Sequence, residues 1–133
     1  MPRIPIVGLA LFYVPDSVVL LGRAPGPARA GAGSGQLIFN NTCRTCHTTK
    51  EGDNRLGPSL AGVVGRKAGT LPGYAYSPSM QNSGVTWDEA TLDTFIANPD
   101  QVVGGNKMKP FTGISDEAQR KDIIAFLKSI GRT

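Results

Sequence analysis

Five consecutive residues, Cys43-Arg44-Thr45-Cys46-His47, constrain this chain more than any others. Two thiols three positions apart on one helical turn can each add across a vinyl group of a porphyrin, and the adjacent imidazole then faces the iron. C-x-x-C-H is accordingly the spacing of a c-type haem attachment site. The chain has 2 cysteines and 1 histidine, and all three lie in this pentapeptide. A redox dithiol of the thioredoxin kind needs no histidine there and belongs in a βαβ pattern that the sequence does not show. A tetrahedral zinc site would want a fourth ligand and a second pair. The motif predicts one covalently bound haem c.

A haem also explains the rest of the composition. At 133 residues the chain is one domain by length, with a core that is marginal for its size unless a large apolar body completes it. Its 17 glycines and 10 prolines imply long loops between few helices, as a chain wrapped around a cofactor requires. The net charge of +4 includes three arginines (Arg3, Arg23, Arg29) and one aspartate (Asp16) ahead of residue 31, so the remainder is only mildly basic. With no basic run and no aromatic-basic interleaving, nucleic acid is excluded as a partner.

Residues 1–30 have a different texture. Arg3 precedes an apolar run from Ile4 to Val14, and Ala28-Arg29-Ala30 offers a small-x-small cleavage site ahead of Gly31. This reads as an export signal, cleaved after Ala30, leaving a haem domain over 31–133. Pro15, Asp16 and Ser17 interrupt the apolar region, so no run reaches the roughly 18–20 residues of a spanning helix, and no stable membrane insertion is expected.

Within 31–133 the pattern is all-α. Gly31 to Thr42 forms an amphipathic helix with Gly35 and Phe39 on one face. Ile123, Ile124, Phe126, Leu127 and Ile130 recur at helical spacing over Asp116–Ile130, with Ser115 as the expected N-cap and Gly131 as the stop. These two helices should cross with Gly35 at the contact. Thr86 and Glu89 read as a capping box opening a helix that runs through Asn98 and is closed by Pro99. The stretches 48–80 and 102–113 read as loops. The sixth iron position falls to one of two methionines, Met108 in the segment 104–110 or Met80. Met108 is favoured because Gly104, Gly105 and Pro110 allow unusual backbone angles around it.

Taken together, the motifs are similar to those of class I, mitochondrial-type monohaem cytochromes c of bacterial origin. The resemblance runs from about Gly35 to Lys128 and rests on Gly35 and Phe39, Cys43-x-x-Cys46-His47, Gly57-Pro58-Ser59-Leu60, Gly65-Arg66, Pro72-Gly73-Tyr74-x-Tyr76-Ser77, Trp87, Asn98-Pro99, Gly105-Asn106-Lys107-Met108 and Arg120 to Lys128. It implies the cytochrome c fold, with three to five helices and long loops around one haem. It implies His47 and Met108 as axial ligands, Cys43 and Cys46 as thioether partners, and Met80 as pocket wall. The Pro58 carbonyl would accept from the ring Nδ1 of His47, and Arg66, Tyr76 and Trp87 would hold the propionates, which are costly to desolvate unpartnered.

Three departures stand out. Phe95 replaces a tyrosine frequent in relatives, and Met80 an asparagine. Gly104 stands where a proline usually stiffens the ligand loop. One residue is inserted after Met108, which gives Phe111 the place of the aromatic that shields the haem edge.

The implied role is that of a monomeric, periplasmic one-electron carrier, not an enzyme. Its donor would be a quinol-cytochrome c reductase, its acceptor an oxidase, reductase or photosynthetic reaction centre, and Lys107 and Lys109 would rim the docking edge. The alternatives are a haem peroxidase or ligand sensor with a displaceable Met108, or a haem subunit tethered by an uncleaved N-terminus.

Overall fold

The structure, a computed structural model, describes residues 27–131. Residues 1–26, and with them nearly all of the expected export signal, lie outside this range. Among the described residues five helices follow in order: α1 (Pro27–Thr42), α2 (Pro78–Gln81), α3 (Glu89–Ala97), α4 (Pro99–Val102) and α5 (Glu117–Ser129). Among the described residues the only β pairing is an isolated bridge between Lys67 and Thr86. The all-α class is as expected. No described helix is long and apolar enough to cross a membrane.

The frame is the crossing of α1 and α5, and Gly35 makes it possible. A Cβ on Gly35 would lie 1.9 Å from the Asp122 carbonyl oxygen and 2.9 Å from the Phe126 Cβ, so the backbone of α1 rests directly on α5. One turn on, Phe39 is buried against Phe126 with ring centroids 5.3 Å apart. Ile123, Ile124 and Leu127 complete the α5 face, all buried. The core continues through Leu92 and Phe95 of α3 to Trp87, Val63, Ala68, Met80 and Val103.

The helix ends differ from the sequence expectation in instructive ways. The capping box of α3 is not Thr86–Glu89. The N-cap is Asp88, whose carboxylate accepts from the Thr91 N–H at 2.8 Å, while the Thr91 hydroxyl accepts from the Asp88 N–H at 2.9 Å. Thr91 Oγ1 also donates to the Thr86 carbonyl at 2.7 Å. A carboxylate at the positive end of a helix is favoured over a neutral hydroxyl, so the start shifts by two residues. The same preference moves the N-cap of α5 from Ser115 to Asp116, which accepts from the Gln119 N–H.

Pro99 does not merely close α3. It opens α4 at a position where its missing N–H costs nothing, with Asn98 capping. At the far end, Ile130 is the C-cap of α5 through its bond to the Phe126 carbonyl, and Gly131 is not in the left-handed region. The stretch 48–80, expected to be loop throughout, instead runs at its end into a helical turn, α2, capped by Ser77.

Candidate functional site

α1 ends at Thr42, but the winding carries on into the pentapeptide. Cys43 and Arg44 donate their N–H to the Phe39 carbonyl at 2.8 and 3.0 Å, and Cys46 and His47 donate theirs to the Cys43 carbonyl at 3.1 and 3.0 Å. Both thiols and the imidazole therefore sit on one continuous turn. The cysteines are free and half-buried. Burial, and then the neighbouring Cys46, push the Cys43 thiol up to about 11. At neutral pH it is an S–H, and addition to a double bond places both the sulfur and the hydrogen.

His47 is 8% exposed. Its Nδ1 lies 2.7 Å from the Pro58 carbonyl oxygen. A carbonyl can only accept, so Nδ1 carries the proton and Nε2 keeps its lone pair. Burial pushes the imidazole pKa down, the Pro58 bond opposes this, and the Arg66 cation adds to it. The net result is the neutral ring that binds a metal. Gly57 lies against that ring, where a Cβ would be 2.5 Å from Cε1. Its N–H donates to the Cys46 carbonyl at 2.7 Å, and Leu60 donates to Thr48 at 2.9 Å. The segment 57–60 is thus laid along 46–48, which delivers the Pro58 oxygen to the ring.

Arg66 is buried and donates to the Ser59 carbonyl at 3.0 Å and the Ala61 carbonyl at 3.3 Å. It lines a cavity of about 290 Å³ with Ser59, Ala61, Leu71 and Pro72. Tyr76 is half-buried, edge-on to Tyr74 at 4.8 Å. Burial raises its phenol pKa and the nearby Arg66 cation lowers it. Trp87 is buried, tilted against Phe95 at 4.7 Å. Its main chain is bound to this group, since its N–H donates to the Arg66 carbonyl at 2.9 Å and its carbonyl accepts from Gly65. The structure therefore brings Arg66, Tyr76 and Trp87 into one neighbourhood that extends to His47.

Met108 is half-buried and, like Cys43, packs against the apolar core. Phe111 is half-buried and donates its N–H to the Met108 carbonyl at 2.8 Å. Met80 is buried in the core, its N–H held by the Ser77 hydroxyl. The two lysines beside Met108 are exposed yet anchored. Lys107 Nζ donates to the Ala75 carbonyl at 2.7 Å, and Lys109 pairs with Asp100. Sequence reasoning missed Asn106, which is buried and bonded to the Met108 backbone. The one available signal was a short amide two residues ahead of a ligand candidate.

Gly104 carries a testable consequence. Its φ is not left-handed, and a Cβ there would meet only the Asp100 carbonyl oxygen at 3.6 Å, an ordinary contact. Gly104→Ala should therefore restrict the unfolded loop without straining the folded one, raising stability by about 0.4–1 kcal/mol. A higher denaturant midpoint with an unchanged slope would be the measured result.

The residues present fit a haem c. Two unpaired thiols and an imidazole with one committed and one available nitrogen share a turn, against an apolar core that also holds a thioether.

Comparison with known proteins points the same way. The family model for cytochrome c matches residues 32–131. Cytochrome c2 iso-2 of Magnetospirillum fulvum is 50% identical over 88 residues, covering 66% of this chain and 91% of that protein. Cytochrome c2 of Rhodomicrobium vannielii is 48% identical over 97 residues, covering 70% of this chain and 74% of that protein. Among solved structures, cytochrome cH from Methylobacterium extorquens superposes with a TM-score of 0.68 at 45% identity, over 74% of this chain and 97% of that one.

Proposed function

We propose that this chain, which belongs to the cytochrome c family and is an electron carrier with one covalent haem c, works in the periplasm between a quinol-cytochrome c reductase and a terminal acceptor. That acceptor is an oxidase, a reductase or a photosynthetic reaction centre. Residues 1–30 act as the export signal, cleaved after Ala30. When bound, the haem supplies the Fe(II)/Fe(III) couple.

Cys43 and Cys46 would fix the group to the end of α1, and His47 and Met108 would supply its two iron ligands. A thioether paired with an imidazole would favour the ferrous state relative to two nitrogens and would leave no position for substrate. Pro58 orients His47, Arg66, Tyr76 and Trp87 receive the propionates, and Phe111 shields the edge. The observation that carries this reading is the 2.7 Å bond from His47 Nδ1 to the Pro58 oxygen beside two unpaired thiols. It prepares one ring nitrogen for a metal at the point where a porphyrin would be tethered. No second histidine exists in the chain to act as a distal acid or base, which favours electron transfer over peroxidase chemistry.

One preparation tests the reading. Protein purified from the periplasm should have the mass of residues 31–133 plus one haem, and should keep its colour through acidified acetone. It should also accept electrons from a quinol-cytochrome c reductase. Pigment released into the solvent would exclude covalent attachment.

A further inference from the structure

The segment carrying Met108 has no regular secondary structure, yet it is tied down on both sides to a single carboxylate. The tie runs through Asn106, a polar side chain that is 7% exposed. Its Oδ1 accepts from the Met108 N–H at 2.9 Å. Its amide nitrogen donates one hydrogen to the Val103 carbonyl at 2.8 Å and the other to Asp100 Oδ1 at 3.0 Å. The second oxygen of the same carboxylate pairs with Lys109, the residue after Met108. Asp100 lies in α4, which is capped by Asn98 and contacts α3.

We infer that Asn106 is a positioning residue for Met108: it fixes the backbone of the ligand residue and anchors it, through Asp100, to the helical frame. The inference rests on Met108 being the axial ligand. Magnitudes separate the two arms of the clasp. Lys109 and Asp100 have side chains 62% and 49% exposed, and an ion pair in that setting contributes little. Asn106 is buried with both amide hydrogens and its oxygen engaged. Its removal strands the Met108 N–H, while the Val103 carbonyl keeps only the Asn106 backbone N–H at 3.3 Å, and leaving such a group unpaired is the costly case. The amide therefore carries the clasp, and the ammonium is secondary.

The test is imidazole binding to the ferric holoprotein, in which added imidazole competes with Met108 for the iron. Asn106→Ala should tighten apparent imidazole binding roughly tenfold or more. Lys109→Gln should change it by less than about threefold. Asn106→Thr is the conservative rescue. Its hydroxyl can still accept from the amide two residues on, so the affinity should return most of the way to wild type. The Met108 amide should stay protected from hydrogen exchange in Asn106→Thr and lose that protection in Asn106→Ala, a readout that a purely structural role would not divide in this way.

If the alanine variant does not load haem, Asp100→Ala takes its place, with a few-fold tightening expected and none overturning the inference. Unchanged imidazole affinity in Asn106→Ala, alongside a large increase in Met108→Ala, would overturn the positioning role while leaving Met108 as ligand. If Met108→Ala changes neither spectrum nor affinity, the ligand assignment fails and the inference falls with it.

Discussion

Gly35→Ala is expected to cost about 3 kcal/mol or more, above the usual range for an overpacked core. The added methyl would stand 1.9 Å from the Asp122 carbonyl oxygen, and neither group can give way cheaply. The oxygen belongs to the backbone of α5 and the methyl would be fixed rigidly to that of α1, so relief requires α1 to lift off α5. Lifting would also part Phe39 from Phe126, whose rings meet one turn away. The measurement is denaturant unfolding of the holoprotein, followed through haem absorbance and the fluorescence of the single tryptophan, Trp87. A second effect should accompany the first. Because Cys43 and His47 continue from the end of α1, the ferric spectrum should become sensitive to denaturant at lower concentration. A midpoint within experimental error of the wild type would mean that the two helices do not meet at this residue.

Met108→Ala is the second large effect. Loss of the thioether should abolish the weak ferric sulfur-to-iron band. Reduced variant should bind carbon monoxide promptly at neutral pH, whereas the wild type resists it. The reduction potential should fall on the order of 0.1 V or more, within the roughly 0.8 V that axial ligation spans. Stability should drop as well, because Met108 packs against the core. If the band persists, the ligand is Met80, which sits in α2 with its N–H held by Ser77.

Much of this was legible in the chain, and the reasons differ by residue. The pentapeptide could be read because haem attachment demands three residue types at one spacing. Gly35 could be read because a glycine four positions before Phe39, on a helix with an apolar face, marks close approach. The family resemblance follows from such pieces standing in order, and the relatives and the fold bear it out.

What escaped was decided by competition between neighbours. Thr86 and Asp88 both precede α3, and Ser115 and Asp116 both precede α5. In each case the carboxylate takes the cap because the helix end is positive. The single-turn helices α2 and α4 are too short to show a periodicity, and only their proline-led starts betray them. The sequence places the lysines flanking Met108 on the rim of the docking edge but does not show what holds them, since their partners, Ala75 and Asp100, lie 32 and 9 residues away. Asn106 is the same problem in a buried form. Its three partners become visible only once the loop has closed.

The partner chosen by the His47 ring has a consequence for how this protein can vary. The acceptor is a peptide oxygen, and every amino acid placed at position 58 would bring one. Substitution can displace that oxygen by moving the chain, but cannot delete it as it could a carboxylate or an amide. Electron donation to the imidazole is therefore insulated from drift at single codons. Under the proposed ligation, natural or engineered tuning falls to the Met108 segment, which Asn106 and Asp100 hold through side chains that are replaceable.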